Sequence, residues 1–164
     1  MGLKRMYRKG PVGALLDEYE RAAAELIAVI DSVDDNEFEL VRDTRTADEH
    51  CRSIQTIMSH VVHSGYGYAN VIRKACAMQG EESIFSVLSR PDSKARLIRM
   101  LAYTAETLAD KFDLTDEQMM EIKMVNPWGQ VYDLEMRLEH AIVHILRHRR
   151  QIERFLRREP RTFP

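Results

Sequence analysis

The chain has 164 residues, of which 45% are hydrophobic and 30% are charged, and its formal net charge is -2. This length is typical of one domain spanning 1–164 and is enough to bury a core without disulfide bonds. The nearly balanced charge does not favour nucleic acid or an anionic membrane as a partner. No apolar run approaches the roughly 18 residues of a membrane span. The basic start also lacks the apolar segment of a secretory signal, so we expect a cytoplasmic protein.

The first two predicted helices each carry one buried stripe. The first covers residues 12–33, where apolar side chains recur at three- and four-residue spacing. An acidic segment, 34–43, follows and is expected to be a polar connection. The second helix is predicted to begin near Thr46 and to run toward Met78. Its start, 46-TADE-49, matches a capping box, in which the first and fourth residues satisfy each other's backbone amides.

Glycines and cysteines add two expectations about the second helix. Gly65 and Gly67 fall in its middle, where each costs about 1 kcal/mol relative to alanine, so they indicate a close neighbouring backbone or a kink. Cys51 and Cys76 fall on the same predicted helix, about 37 Å apart at a rise of about 1.5 Å per residue. They are therefore expected to be free thiols in a reducing compartment.

The second half of the chain predicts three more helices. One begins after Pro91, with Asp92 or Ser93 as its cap, a short one covers 116–123, and the last covers 131–158. No strand pattern or internal repeat is found. Four long amphipathic helices and one short one predict an all-α fold, an up-down four-helix bundle with a short extra helix in a connection.

Three of the six histidines lie close together in 139-EHAIVHILRHRRQIERFL-156. His148 occupies a position on the apolar stripe, and His144 lies one turn before it at the margin of the stripe. Two imidazoles four residues apart on a helix can chelate one divalent ion. His140 is turned away by the helical period and is expected at the rim. On the second helix, His60 flanks buried positions and is predicted to be the third ligand.

A three-histidine set has a chemical consequence and an alternative. Three protein ligands leave a coordination position for water or substrate, as in catalytic zinc sites, unless His63 closes it. Imidazole nitrogen suits Zn, Ni, Cu and Fe alike. The alternative is a polar core without metal, in which the buried rings stay neutral and find hydrogen-bond partners.

These residues resemble the DinB/YfiT-like superfamily of metal-dependent enzymes over nearly the whole chain. The segment 57-IMSHVVHS-64 is similar to the family's second-helix segment with its single metal histidine. The segment 140-HAIVHILRHRRQI-152 is similar to the closing His-x-x-x-His-Arg-Gly-Gln-Ile signature. Carried over by position, the resemblance implies His60, His144 and His148 as metal ligands, the same three that the stripe predicts.

The resemblance also implies cofactors and partners. Arg149, Gln151 and Ile152 match the closing signature, whereas Arg150 stands where glycine is common. Relatives imply a divalent metal ion, with Zn or Ni favoured, a small-molecule substrate, a low-molecular-weight thiol such as bacillithiol or mycothiol, and a homodimer. The implied activity is that of a thiol-dependent transferase or a hydrolase. The alternative is a metal- or ligand-binding bundle without catalysis.

Several other side chains are candidates for supporting roles. Ser64 and Gln151 are candidates to orient the ligand rings, although helix surface or packing is the simpler interpretation of each. Tyr66 is a candidate to line a substrate mouth, and Trp128 either covers an end of the core or walls a pocket. Glu139 is the one candidate general acid or base, although an exposed charge is the simpler interpretation. The stretch 147-RHRRQIERFLRREPR-161 holds seven arginines against two acids, and we expect a solvated face rather than a nucleic-acid site.

Overall fold

The computed structural model describes residues 7–158 of the chain and is mainly helical, so the predicted all-α fold is confirmed. It contains four long helices, two short ones, a turn of 3-10 helix and a two-stranded hairpin. The helices are α1 (Gly10–Asp31), α2 (Asp35–Glu39), α3 (Ile54–Ala75), α4 (Arg90–Thr107), α5 (Asp116–Glu121) and α6 (Leu134–Arg157). The 3-10 turn is Glu49–Cys51, and the antiparallel strands are β1 (Met124–Val125) and β2 (Val131–Tyr132).

The four long helices pack into a bundle. The main contacts join α1 to α6 and α3 to α4, and further contacts between α3 and α6 and between α1 and α4 complete the ring. The predicted stripes face inward: Leu26 and Ile30 of α1, Ile57 of α3 and Ile145 and Ile152 of α6 are all buried in one cluster. Burial of these faces drives the helices together, at about 25 cal/mol for each Å² of apolar surface removed from water.

The start of α3 differs from the prediction. Its capping box is formed by Ser53 and Thr56: the Ser53 hydroxyl accepts from the Thr56 amide at 3.1 Å, and the Thr56 hydroxyl accepts from the Ser53 amide at 3.0 Å. The predicted box of Thr46 and Glu49 is therefore wrong. The Asp43 carboxylate accepts from the Thr46 backbone amide at 3.0 Å. Such side-chain to backbone bonds hold this segment in a loop and compete with helix formation.

The later start of α3 also changes the placement of the cysteines. Cys51 lies in the 3-10 turn before α3, and Cys76 is the residue that caps the C-terminal end of α3. The prediction that both lie on one helix is wrong. Neither forms a disulfide bond within residues 7–158, as expected.

The start of α4 is shifted in the same way. Its N-cap is Ser89, whose hydroxyl accepts from the Asp92 amide at 3.2 Å, so neither Asp92 nor Ser93 is the cap. Pro91 lies in the first turn of the helix, where its missing N–H is not needed. The prediction that the helix begins after Pro91 is therefore wrong, because Pro91 belongs to α4.

The sequence did not predict α2 or the hairpin. The α2 helix lies in the segment expected to be a polar connection, and it is anchored by Phe38, whose side chain is fully buried. The hairpin strands have two residues each, which is too short for an alternating pattern to show. Because β2 takes up Val131, α6 begins only at Leu134, with Asp133 as its N-cap.

The two mid-helix glycines of α3 have different surroundings. A Cβ built on Gly65 would lie 2.6 Å from Sδ of Met100 on α4, so the close approach is to a side chain rather than to a backbone. A Cβ built on Gly67 would meet no atom within 4 Å. Of these two glycines, only Gly65 is in close contact with a neighbouring helix.

The remaining sequence-based expectations concern a membrane span and the two basic ends of the chain. No helix in residues 7–158 is both long enough and apolar enough to cross a membrane. The basic residues before position 7 and the part of the arginine-rich stretch after position 158 lie outside the described residues.

Candidate metal centre

The three predicted histidines converge between α3 and α6. Nε2 of His60 lies 3.0 Å from Nε2 of His144. The ring centroids are 5.1 Å apart for His60 and His148 and 4.5 Å apart for His144 and His148. One ring nitrogen from each residue lies within 4.8 Å of the other two, an arrangement compatible with a metal ion. The structure thus brings together all three residues that the sequence singled out.

The helical stripes explain why these rings meet at the edge of the core. On α3, Ile57 and Val61 on either side of His60 are buried. On α6, Ile145 is buried next to His144. The three histidines themselves are only partly buried. The packing of α3 on α6 therefore places the rings where the apolar core ends and a cavity begins.

Burial keeps the three rings neutral. The pKa of His60 is lowered to about 4 and that of His144 to about 3, mainly by burial and then by repulsion between neighbouring imidazolium charges. Burial also lowers the pKa of His148, although its hydrogen bond to Gln151 acts in the opposite direction. Near pH 7 all three are unprotonated, which is the form that binds a metal ion.

The distances fit a divalent ion after a small adjustment. A tetrahedral ion with Zn–N bonds of about 2.0–2.1 Å separates its ligand nitrogens by roughly 3.3 Å. His60 and His144 are 3.0 Å apart, the distance at which two neutral rings also share one proton. The donor set of three imidazoles suits a borderline ion such as Zn or Ni.

Gln151 orients one of the candidate ligands. Its Oε1 accepts from Nδ1 of His148 at 3.2 Å, and its Nε2 donates to the backbone carbonyl of Cys51 at 3.3 Å. This contact leaves Nε2 of His148 for the cluster, so Gln151 makes the hydrogen bond that its predicted role requires, and the role itself stays a prediction. Ser64, the other candidate, instead hydrogen-bonds with Tyr68.

The other histidines lie outside the cluster. The ring of His140 lies among Tyr68, Tyr132 and Trp128, with centroid distances of 5.3, 5.7 and 6.3 Å, so it is a rim residue as predicted. Nδ1 of His63 lies 3.2 Å from the hydroxyl of Ser83. In the described part of the chain, no fourth histidine, cysteine or carboxylate joins the three.

His50 is a neighbour that the sequence analysis missed. Its ring stacks on His60 with a centroid distance of 5.4 Å and packs against Phe85 at 4.6 Å. His50 lies in the 3-10 turn, which the sequence analysis assigned to the second helix. The local pattern gave no signal for this contact, because it depends on how the loop folds back over α3.

The cluster opens into a cavity of about 740 Å³, which we call the arginine cavity. All three histidines line it, and α6 adds a row of arginines at three- and four-residue spacing. The opposite wall comes from the loop before α3 and includes Asp48 and Cys51. The arginines that line the cavity are Arg147, Arg150 and Arg154. The arginine that departs from the signature, Arg150, is thus part of the cavity wall.

A second cavity, of about 370 Å³, lies on the other side of His60. We call it the Arg137 cavity, and Arg137, Tyr68 and Trp128 are among its lining residues. The side chain of Trp128 is 57% exposed, so this residue walls a pocket and does not cover an end of the core. Tyr66 lies against Tyr103, with ring centroids 5.5 Å apart.

The remaining signature residues and the candidate base are also placed. Arg149 forms ion pairs with Glu25 of α1 and with Glu153 one turn along α6. It therefore ties α6 to α1 and does not line the arginine cavity. Glu139 is exposed, which agrees with the simpler of its two interpretations.

The fold and the site together indicate the class of protein. It is a helical bundle in which three neutral histidines from two long helices form a candidate metal centre. The chain belongs to the DinB family, whose sequence model matches residues 6–161. The resemblance found in the sequence is thereby confirmed, and the match includes all three histidines. No curated protein matches the chain in a sequence comparison.

Proposed function

We propose that the protein is a metal-dependent enzyme that transfers a low-molecular-weight thiol to a small electrophilic substrate. His60, His144 and His148 would hold one divalent ion, Zn or Ni. The observation that carries this proposal is the convergence of three ring nitrogens within 4.8 Å at the wall of an open cavity. A closed site with four protein ligands would instead support a structural role.

The side chains of the site have separate tasks in this reaction. An ion with three neutral ligands keeps its full charge and favours the deprotonated, nucleophilic form of a thiol near pH 7. Gln151 holds the ring of His148 in position. Arg147, Arg150 and Arg154 make the cavity basic and attract anionic groups of a thiol cofactor.

A hydrolase is the second candidate. It is favoured by Asp48, whose carboxylate lines the same cavity and is the one acidic group among the described lining residues. In a hydrolase this carboxylate would accept a proton from the attacking water. The same three histidines would hold the ion in either reaction.

The proposal includes a compartment and an assembly. Cys51 and Cys76 remain thiols in a reducing compartment, and we propose the cytoplasm. We also propose a homodimer. Ile98 of α4 is 56% exposed and is a candidate for the contact between the two copies. Sedimentation velocity of the wild type and of Ile98→Glu tests the dimer.

Metal content is the first test. Untagged protein purified without added metal or chelator is analysed by inductively coupled plasma mass spectrometry. We expect about one divalent ion per chain in the wild type and loss of the ion in His144→Ala and in His148→Ala. The matched control is His140→Ala, which removes a histidine of the same helix outside the cluster and keeps the ion. A wild type that neither contains nor takes up Zn or Ni contradicts the proposal and supports a polar core in which His60 and His144 share a proton.

Turnover is the second test. Bacillithiol and mycothiol are each incubated with monochlorobimane, and conjugate formation is followed by fluorescence. We expect catalysis by the wild type and by His140→Ala, and loss of catalysis in His148→Ala. Hydrolysis of p-nitrophenyl esters without thiol transfer supports the hydrolase instead. Metal binding without either activity supports the non-catalytic alternative.

A further inference from the structure

Arg137 of α6 is a buried cation that has no acidic partner among the described residues. Only 3% of its surface is exposed, and no carboxylate within residues 7–158 forms an ion pair with it. Its guanidinium donates to Oδ1 of Asn126 and lies 4.9 Å from the ring centroid of Tyr132 and 5.6 Å from that of Tyr68. A buried charge is costly unless a counter-charge and hydrogen bonds compensate for lost water, so a partner is expected.

Two buried donors next to this charge have no protein acceptor. Nε of Arg137 and Nδ2 of Asn126 make no hydrogen bond to any described residue. Asn126 is 4% exposed, and its Oδ1 is already occupied by Arg137. Most buried polar atoms in proteins are paired, so two unpaired donors side by side indicate a ligand that carries acceptor atoms.

Both residues line the Arg137 cavity, whose other walls are mainly apolar. Val71 of α3, Val125 of β1 and Trp128 of the hairpin loop lie around it. The volume of about 370 Å³ is that of a pocket for a small molecule. The cavity has a positive charge and unpaired hydrogen-bond donors at one position and apolar surface elsewhere. It is therefore complementary to a molecule with an anionic head and an apolar body.

We propose that the Arg137 cavity binds a small organic acid, whose carboxylate accepts hydrogen bonds from Arg137 and Asn126 and whose apolar body lies against Trp128 and Val71. A carboxylate is favoured because a planar guanidinium pairs with its two oxygens in a charge-assisted geometry. A strongly hydrated group such as a free phosphate or a sugar would not match the apolar walls.

The position of the cavity gives this acid a role. His60 lines both the Arg137 cavity and the arginine cavity, so an acid bound in the Arg137 cavity would lie next to the candidate metal centre. We assign an acid that carries an electron-poor carbon–carbon double bond as the acceptor substrate of the thiol transfer: the thiolate sulfur forms a bond to one carbon, the π bond breaks, and the other carbon takes up a proton, so no group leaves. That assignment rests on the proposed function, whereas binding of the acid does not.

The binding test uses the one tryptophan of the chain as its reporter. Metal-free wild-type protein, prepared by dialysis against a chelator, is titrated with benzoate and hexanoate, and the fluorescence of Trp128 is followed. Benzamide and hexanamide are the matched neutral ligands. We expect each acid to bind at least about tenfold more tightly than its amide, because only the acid forms charge-assisted hydrogen bonds.

Two variants locate the binding. Arg137→Met keeps a long unbranched side chain and is expected to remove the preference for acids over amides. Gly67→Leu adds a side chain to a cavity-lining position with open space, so it is expected to weaken binding of both ligand types at least about tenfold. Arg99→Met, at an exposed position on α4, is the charge-matched control and is expected to bind as the wild type does.

The outcomes separate this inference from the proposed function. Equal binding of acids and amides by the wild type, or no binding of either acid, overturns the inference. Unchanged acid binding in Arg137→Met also overturns it. If Arg137→Met does not fold, unchanged acid binding in Gly67→Leu overturns the inference instead. Because the protein is metal-free throughout, a failed metal test leaves these results intact. Acid binding without thiol transfer retains the site and removes only the acceptor assignment.

Discussion

At the scale of single residues, metal binding by the histidine cluster depends on the orientation and the protonation state of each ring. Gln151 fixes the ring of His148 and ties it to the backbone of Cys51, so it connects α6 to the loop that closes the arginine cavity. Partners of this kind fix the tautomer and orientation of ligating histidines. The neutral state of the rings has a different origin, which is their burial at the edge of the core.

Removing the Gln151 contact should weaken metal binding. Gln151→Leu leaves the ring of His148 free to rotate, and we expect the metal affinity to fall roughly 10- to 100-fold. The affinity is measured by competition with a chromophoric chelator. Glu139→Gln, an exposed change on the same helix, is the control and should bind metal as the wild type does. An unchanged affinity in Gln151→Leu would show that packing alone holds the ring.

The lowered histidine pKa values predict how stability depends on pH. The folded protein has a pKa of about 4 for His60 and about 3 for His144, below the ordinary value of 6.5 for the unfolded chain. Between these values the unfolded state binds more protons, so the free energy of unfolding of metal-free protein should fall as the pH falls from about 6.5 toward 4. Urea unfolding at a series of pH values measures this change.

The control for this pH dependence is His144→Gln. It removes one of the two strongly shifted groups, and we expect a shallower loss of stability over the same pH range. Carboxylates titrate in both proteins, so the difference between the two curves isolates the histidine. If the curves were parallel, the ring of His144 would not be buried as described.

At the scale of elements, the long helices could be predicted from sequence and their ends could not. The stripes of α1, α3 and α6 repeat over many turns, so the period determines the buried face. The N-cap of a helix depends on which of several nearby polar residues the chain uses. Thr46 is not the N-cap of α3, because its backbone amide donates to the Asp43 carboxylate and the segment stays in a loop. The short α2 helix forms around the buried ring of Phe38, a contact that no local pattern encodes.

The same distinction applies to the candidate site. His60, His144 and His148 follow from helical spacing together with the family resemblance. His50, Asp48 and the Arg137 cavity do not, because they arise where loops and the hairpin fold over α3 and α6. The positions of side chains on regular helices could be predicted from the sequence. The positions of side chains on loops and on the hairpin became known only from the tertiary structure.

The two glycines of α3 should respond oppositely to alanine. Gly67→Ala adds a methyl group in open space and removes a poor helix former, so we expect stabilisation of about 0.5–1 kcal/mol. Gly65→Ala forces the buried side chain of Met100 to move at a cost of about 1–3 kcal/mol, against the same gain in helix propensity of about 1 kcal/mol, so we expect a net destabilisation of up to about 2 kcal/mol. Guanidinium unfolding of both variants measures the difference. A similar response in both would mean that Met100 adapts without cost.

At the scale of the whole molecule, a metal ion would join two helices that are far apart in sequence. His60 belongs to α3, and His144 and His148 belong to α6, so the cluster is formed only when the bundle has folded. An ion that binds the folded state alone shifts the folding equilibrium toward it.

Metal should therefore stabilise the bundle. With free Zn at 100 times its dissociation constant, we expect the free energy of unfolding to rise by about 2.7 kcal/mol. Thermal unfolding followed by circular dichroism, with and without Zn, measures this as a higher midpoint. His148→Ala should show no such rise, and His140→Ala should behave as the wild type does. A midpoint that Zn does not change in the wild type would contradict the site.

The Arg149–Glu25 ion pair has a consequence for how the closing signature is interpreted. Of the residues that match this signature, His144 and His148 belong to the candidate metal centre, whereas Arg149 fastens α6 to α1. Replacing the histidines would leave this ion pair in place, because neither of its partners belongs to the histidine cluster. In this chain the arginine of the signature therefore serves the packing of the helices, whereas its two histidines and Gln151 belong to the candidate metal centre.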